Sequence, residues 1–112
     1  MQRLVKTLTL RDDPKLIEEY CLVHKNIWPE IRSGIKEVGV SVMDIYFLGN
    51  LLVMIIEAPD DIDLDAAFRR LATMPRQQEW EEFVSKFQNC GETESSAQKW
   101  KVMSKIFELS KS

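Results

Sequence analysis

Apolar and polar positions alternate along residues 2–10 (QRLVKTLTL), with Leu4, Lys6, Leu8 and Leu10 on one face and Arg3, Val5, Thr7 and Thr9 on the other. A period of two with Thr and Val among its members predicts a β-strand. After RDDP the period changes. Leu16, Ile17, Tyr20, Val23, His24 and Ile27 recur at spacings of three and four, the inward face of a helix. Asp13 suits the N-cap of that helix, and Pro14 suits its first turn because it has no N–H to lose. Pro29 disfavours helical geometry at Trp28, so the helix is predicted to break there. A second piece then runs from Pro29 through Ile31, Ile35 and Val38 to Gly39.

VSVMDIYFL and LLVMIIEA follow as strands, joined by a two-residue turn at Gly49-Asn50. The unbroken apolar run of the second predicts a strand buried on both faces. Asp63 is placed to cap a helix whose stripe is Leu64, Ala67, Phe68 and Leu71. Pro75 interrupts it, and a further helix carries Trp80, Phe83, Val84 and Phe87. Residues 88–99 are polar and read as a long loop, after which WKVMSKIFEL is expected to form a fourth strand.

The order is β-α-β-β-α-β with split helices, the ferredoxin-like α+β arrangement, in a single domain spanning residues 1–112. Helices on one face of such a sheet leave the other in need of cover. Val5, Met43, Ile45 and Phe107 are the apolar side chains expected there, against a ligand, a partner, or a second copy placed sheet to sheet. Charge narrows the partners. The net charge of −3, with Lys and Arg scattered among acids, offers no basic patch for a nucleic acid. The longest apolar run, residues 51–56, is too short to span a bilayer. Together with the lack of a leader pattern this predicts a cytoplasmic protein without a membrane partner. Cys21 and Cys90 read as isolated, reduced thiols, and one histidine with two distant cysteines has no zinc-ligand spacing, so no metal is expected.

His24 is the chain's only histidine. Its imidazole has a reference pKa of about 6.5 and moves protons in either direction near neutral pH. Tyr20 lies one helical turn before it, so phenol and imidazole share a face. Two satisfied core residues are the commoner outcome of such a pair. Indole faces at Trp80 and Trp28 suit the C–H face of a sugar ring. Against this, Trp80 stands at core spacing with Phe83 and Val84, and Trp28-Pro29 serves equally as a wedge at the helix bend. Tyr46 and Asp44 share a strand face with Val42, pointing either at the same cavity or at solvent.

The stretch EEYCLVHKNIWPEI, the N-L-L strand, the W-E-E-F helix and the ending I-F-E-L resemble the L-rhamnose mutarotase family over nearly the whole chain. The opening LTLRDDPKLIEEY, the phrase MDIYFLGN and the ending KWKVMSKIFEL resemble its L-fucose branch. The resemblance implies a dimeric α+β barrel, two ferredoxin-like subunits joined through their sheets. It further implies interconversion of the α and β anomers of a 6-deoxy-L-hexose, L-fucose or alternatively L-rhamnose, without metal or organic cofactor. By position it makes His24 the catalytic residue, Tyr20 its partner and Trp80 a sugar contact. Trp28 and Tyr46 complete the expected substrate-binding set. The chain departs from the rhamnose pattern at Met43, where a second tyrosine stands, and at Glu81, where a second tryptophan stands. Two other classes stay open: a cofactor-free oxygenase on the same barrel, and a non-catalytic binding module.

Overall fold

The computed structural model describes residues 1–89 and 99–110. Its elements run β1 (Gln2–Thr9), α1 (Pro14–Lys25), α2 (Pro29–Glu37), β2 (Val42–Leu48), β3 (Leu51–Ala58), α3 (Leu64–Leu71), α4 (Gln77–Ser85) and β4 (Lys101–Val102). The strands make one antiparallel sheet in the order β2-β3-β1-β4. This is the ferredoxin-like α+β fold expected from the alternation of periods.

Local signals explain the breaks. Asp13 Oδ1 accepts from the Lys15 amide at 3.0 Å, and Asp63 Oδ1 accepts from the Ala66 amide at 3.2 Å. Each satisfies a helix N–H that has no intrahelical carbonyl. Trp28, held at ψ 134° before Pro29, separates α1 from α2. Gly39 turns the chain out of α2 at φ +105°, where an added Cβ would lie 3.0 Å from Ile62 Cδ1. Gly49 takes φ +63° in the β2–β3 turn, where the backbone conformation alone favours glycine and the space beside it is open.

Register decides which face each strand residue serves. Met43 pairs with Ile56, which pairs with Leu4; Ile45 pairs with Met54, and Phe47 with Leu52. Leu8, Leu52, Met54, Ile56 and Ala58 on this face are buried under the helices with Ile31, Leu71, Val84 and Phe87. Burying each of the larger aliphatic side chains contributes about 1.5–3 kcal/mol. Lys6 lies on the same face, its ammonium 5.0 Å over the Phe68 ring.

Three expectations are corrected. Met43 and Ile45 belong to the helix side, packed on the core, and not to the open face. The open face instead carries Val5 with Val42, Tyr46, Leu48, Leu51, Val53 and Ile55. β3 is buried on one face only, since its residues alternate between buried and half-buried or exposed. The fourth strand is the largest change. Only Lys101 and Val102 pair with β1, and one further bond, Met103 N–H to the Val5 carbonyl at 2.8 Å, ends the ladder. Residues 103–110 then run out exposed, although β1 continues from Val5 to Gln2 alongside the ladder's end. Most of the expected polar loop, with Cys90, lies outside the described residues.

Candidate functional site

Tyr20 and His24 project from one face of α1, as their spacing requires, with ring centroids 4.1 Å apart. His24 Nδ1 lies 2.8 Å from the Tyr20 backbone carbonyl. A carbonyl can only accept, so Nδ1 carries the proton and the neutral ring presents Nε2 as a lone pair. Burial lowers the His24 pKa below its ordinary value, partly opposed by that bond to the carbonyl. The imidazole is therefore a neutral base at neutral pH. The Tyr20 phenol is shifted the other way. Burial, chiefly, drives its pKa well above the usual range, with a hydrogen bond to the Gln88 side chain opposing and the charge of Glu81 reinforcing. It stays protonated throughout the physiological range.

Around the pair stands an aromatic cluster drawn from two helices. Trp80 of α4 meets His24 edge-on at 5.4 Å and Trp28 at 5.1 Å. Trp28 in turn stacks on Phe83 at 5.6 Å, under the Arg76 guanidinium at 4.2 Å. The bend at Trp28-Pro29 folds this ring back against α4, so the wedge and the cluster are one device. Trp80 is 7% exposed. It supports the imidazole from beneath and shows solvent little of its face.

His24 also lines a cleft of about 470 Å³ between α1, α2 and β2, with Ile27, Arg32, Met43, Asp44 and Ile45 among its walls. Small-molecule sites commonly fall between about 300 and 1,000 Å³ and set a few polar groups on apolar walls. Residues of both pleats of β2 line it, Met43 and Ile45 from the helix side and Val42 and Asp44 from the open side. The cleft therefore reaches around the free edge of β2. A second hollow of about 660 Å³, walled by Ile17, Leu22 and Phe47 with Glu18 and Lys25, contains no imidazole. Among the described residues no group of three His, Cys, Asp or Glu side chains is placed to hold a metal ion.

The structure brings together Tyr20, His24, Trp28 and Trp80. It does not bring Tyr46, which is exposed on the open face of the sheet, opposite the helices. Met43 is a cleft wall beside His24, and Glu81 is half-buried on α4, accepting from Gln77 Nε2 at 2.9 Å. Arg32 and Lys36 were missing from the sequence-derived set. Their signal is their position at i and i+4, next to Ile31 and Ile35 at the margin of the inward stripe of α2. Gln88 carried no such signal; only the folded chain sets it against Tyr20.

Residues 3–109 match the family model for L-rhamnose mutarotase. The chain belongs to the L-rhamnose mutarotase family. It is 35% identical to an L-fucose mutarotase of Xanthomonas campestris pv. campestris over 112 residues, 98% of this chain and 90% of that one. It is 37% identical over 84 residues to a UPF0734 protein of Dictyostelium discoideum, covering 74% of this chain and 67% of the other. Among solved structures, L-rhamnose mutarotase from Formosa agariphila superposes with a TM-score of 0.71 at 19% identity, covering 97% and 99% of the two chains. Tetracenomycin F2 cyclase from Streptomyces glaucescens, a type-II polyketide cyclase, does so at 0.55 and 19%, covering 96% and 95%. Both superpositions speak to fold alone. As a member of its family the protein is a sugar mutarotase, an isomerase acting on carbohydrates. No helix among the described residues is long and apolar enough to cross a membrane.

Proposed function

We propose that the protein is an L-fucose mutarotase working as a homodimer, with His24 as its proton-transfer residue. One observation carries the site assignment: a neutral imidazole, its Nδ1–H committed to the Tyr20 carbonyl, borders a cleft with Nε2 unprotonated. The sugar assignment rests on the 35% identity to an L-fucose mutarotase over nearly the full chain, and on the departures from the rhamnose pattern at Met43 and Glu81. A thioether in place of a phenol removes one hydroxyl from the cleft wall and leaves it apolar.

The reaction follows from the residues. His24 Nε2 accepts the proton of the anomeric hydroxyl, the bond between C1 and the ring oxygen breaks, and that oxygen takes up a proton. The aldehyde carbon rotates and the steps reverse on its other face. Neither a covalent nucleophile nor an oxidant enters the balance. Tyr20 acts through His24: its carbonyl fixes the tautomer and its ring packs on the imidazole. A phenol held so firmly neutral is a poor proton carrier. Tyr20→Phe is accordingly expected to lower exchange no more than about tenfold, the value of one hydrogen bond, with an unchanged pH profile. A larger loss, or a shifted profile, would return the hydroxyl to the chemistry.

NMR saturation exchange between anomers of L-fucose, L-rhamnose and D-galactose, measured side by side, tests the proposal. L-Fucose is expected to exchange fastest. Rates at the buffer value for all three sugars would end the mutarotase reading of this site. A faster rate on L-rhamnose would reassign the substrate. The polyketide cyclase on the same fold keeps an aromatic-metabolite reading in view, and the cofactor-free oxygenase form of it predicts oxygen uptake with quinols.

A further inference from the structure

The fold treats the acids and the bases of α2 differently. Its two acids meet arginines: Glu30 lies 3.5 Å from Arg76, and Glu37 lies 3.8 Å from Arg70. Its two bases, Arg32 and Lys36, instead line the His24 cleft. Asp44, the one charged residue of β2, lines the same cleft from the strand. Among the described residues none of these three side chains makes a hydrogen bond or an ion pair. Arg32 and Asp44 thus bring opposite charges to one cleft and do not close on each other.

We infer that Arg32 and Asp44 grip ring hydroxyls of the sugar away from C1 and set which sugar the cleft prefers. This rests on the mutarotase reading and adds the side chains that hold the ring while His24 works at C1. A hydroxyl donates and accepts at once, so a single one satisfies the carboxylate and the guanidinium together. Each of the two heads is also a planar fork, able to take two neighbouring hydroxyls through charge-assisted bonds.

The mixture of signs selects a neutral ligand. A carboxylate or phosphate would suit Arg32 and Lys36 but face Asp44, and an ammonium would meet the reverse. Ile27, Ile35, Met43 and Ile45 supply apolar wall for the C–H groups of the ring and for the methyl of a 6-deoxy sugar. L-Fucose and L-rhamnose differ in configuration only at C2 and C4, so a hold on hydroxyls beyond C1 is what separates them. Asp44 on the free edge of the sheet also has a plainer role, a charge that discourages edge-to-edge pairing. That role would leave sugar kinetics untouched.

Exchange kinetics on L-fucose, its 2-, 3- and 4-deoxy derivatives and L-rhamnose test the grip. Both side chains are exposed, so Arg32→Met and Asp44→Asn should unfold as wild type does. Each variant is expected to raise KM for L-fucose about 10- to 100-fold, the usual effect of losing a hydrogen bond to a charged group, with kcat within about threefold. Wild type should show a similar rise in KM on at least one deoxy sugar, and the variants should no longer tell that sugar from L-fucose. The preference between L-fucose and L-rhamnose should narrow in both variants. An unchanged KM in either variant, or an unchanged preference, would overturn the inference. So would a loss of equal size on every sugar, which marks a general disturbance of the cleft. If wild type exchanges no sugar, the mutarotase reading fails on its own. Calorimetric titration with L-fucose then decides the grip separately. Binding by wild type that both variants weaken at least about tenfold upholds it, and no binding, or equal binding, overturns it.

Discussion

His24→Ala is expected to cut catalysed anomer exchange by about 10²–10⁴-fold, the usual contribution of a positioned acid or base, while the protein remains folded. The imidazole is half-buried, makes its hydrogen bond to its own helix and meets α4 only edge-on at Trp80, so its loss removes chemistry more than structure. Saturation-exchange rates alongside thermal unfolding check both halves of the statement. A variant that unfolds early yet exchanges normally would make His24 a packing residue. The pH dependence carries the same assignment. Burial holds the folded pKa below the ordinary 6.5, so the neutral base persists on the acid side of that value. Exchange should be flat through neutrality and fall only at a pH below 6.5. Stability has the same sign. As pH drops past the unfolded value, the unfolded chain takes up the proton first, and stability is lost until the folded pKa is passed. Both acid limbs should weaken in His24→Ala.

Phe87→Ala is expected to have the largest effect on stability, about 3–5 kcal/mol. Phe87 is fully buried, meets Phe83 edge-on at 5.7 Å and Tyr20 at 5.8 Å, and its carbonyl accepts from the Arg11 amide at 2.9 Å. It thus joins the end of α4 to α1 and to the chain leaving β1. A domain of this size is stable by only about 5–15 kcal/mol, so the variant should unfold at much lower urea with an unchanged slope. A cost under about 1 kcal/mol would mean that the cluster collapses around the gap. Exchange should fall with it through a displaced Tyr20, and a loss confined to kcat with native stability would contradict that route.

How much was legible follows from the range of each interaction. Pro14, Pro29 and Pro75 mark where helices begin or break, and Asp13 and Asp63 cap the helices they were expected to cap. The Tyr20–His24 pair was readable too, because a turn of helix sets it without reference to anything else. Faces were harder. β2 has apolar residues on both pleats, Val42 beside Met43 and Phe47 beside Leu48, so its alternation does not say which side meets the helices. Only the pairing of Met43 with Ile56 and of Ile45 with Met54 does. The expectation that placed these two on the open face failed for that reason.

The sequence by itself determined the order of elements, the helix breaks, the left-handed glycines and the helical face shared by tyrosine and histidine. All of these depend on backbone sterics and hydrogen bonds within a few residues. Tertiary structure alone decided three matters. Trp80 lies beneath the imidazole because α4 packs against α1. Tyr46 is set on the far side of the sheet by register. The last strand stops after two residues, although Ile106 and Phe107 read as strand-forming. A strand exists only where it engages another's carbonyls and amides, and pattern along one chain does not reveal how far that pairing runs.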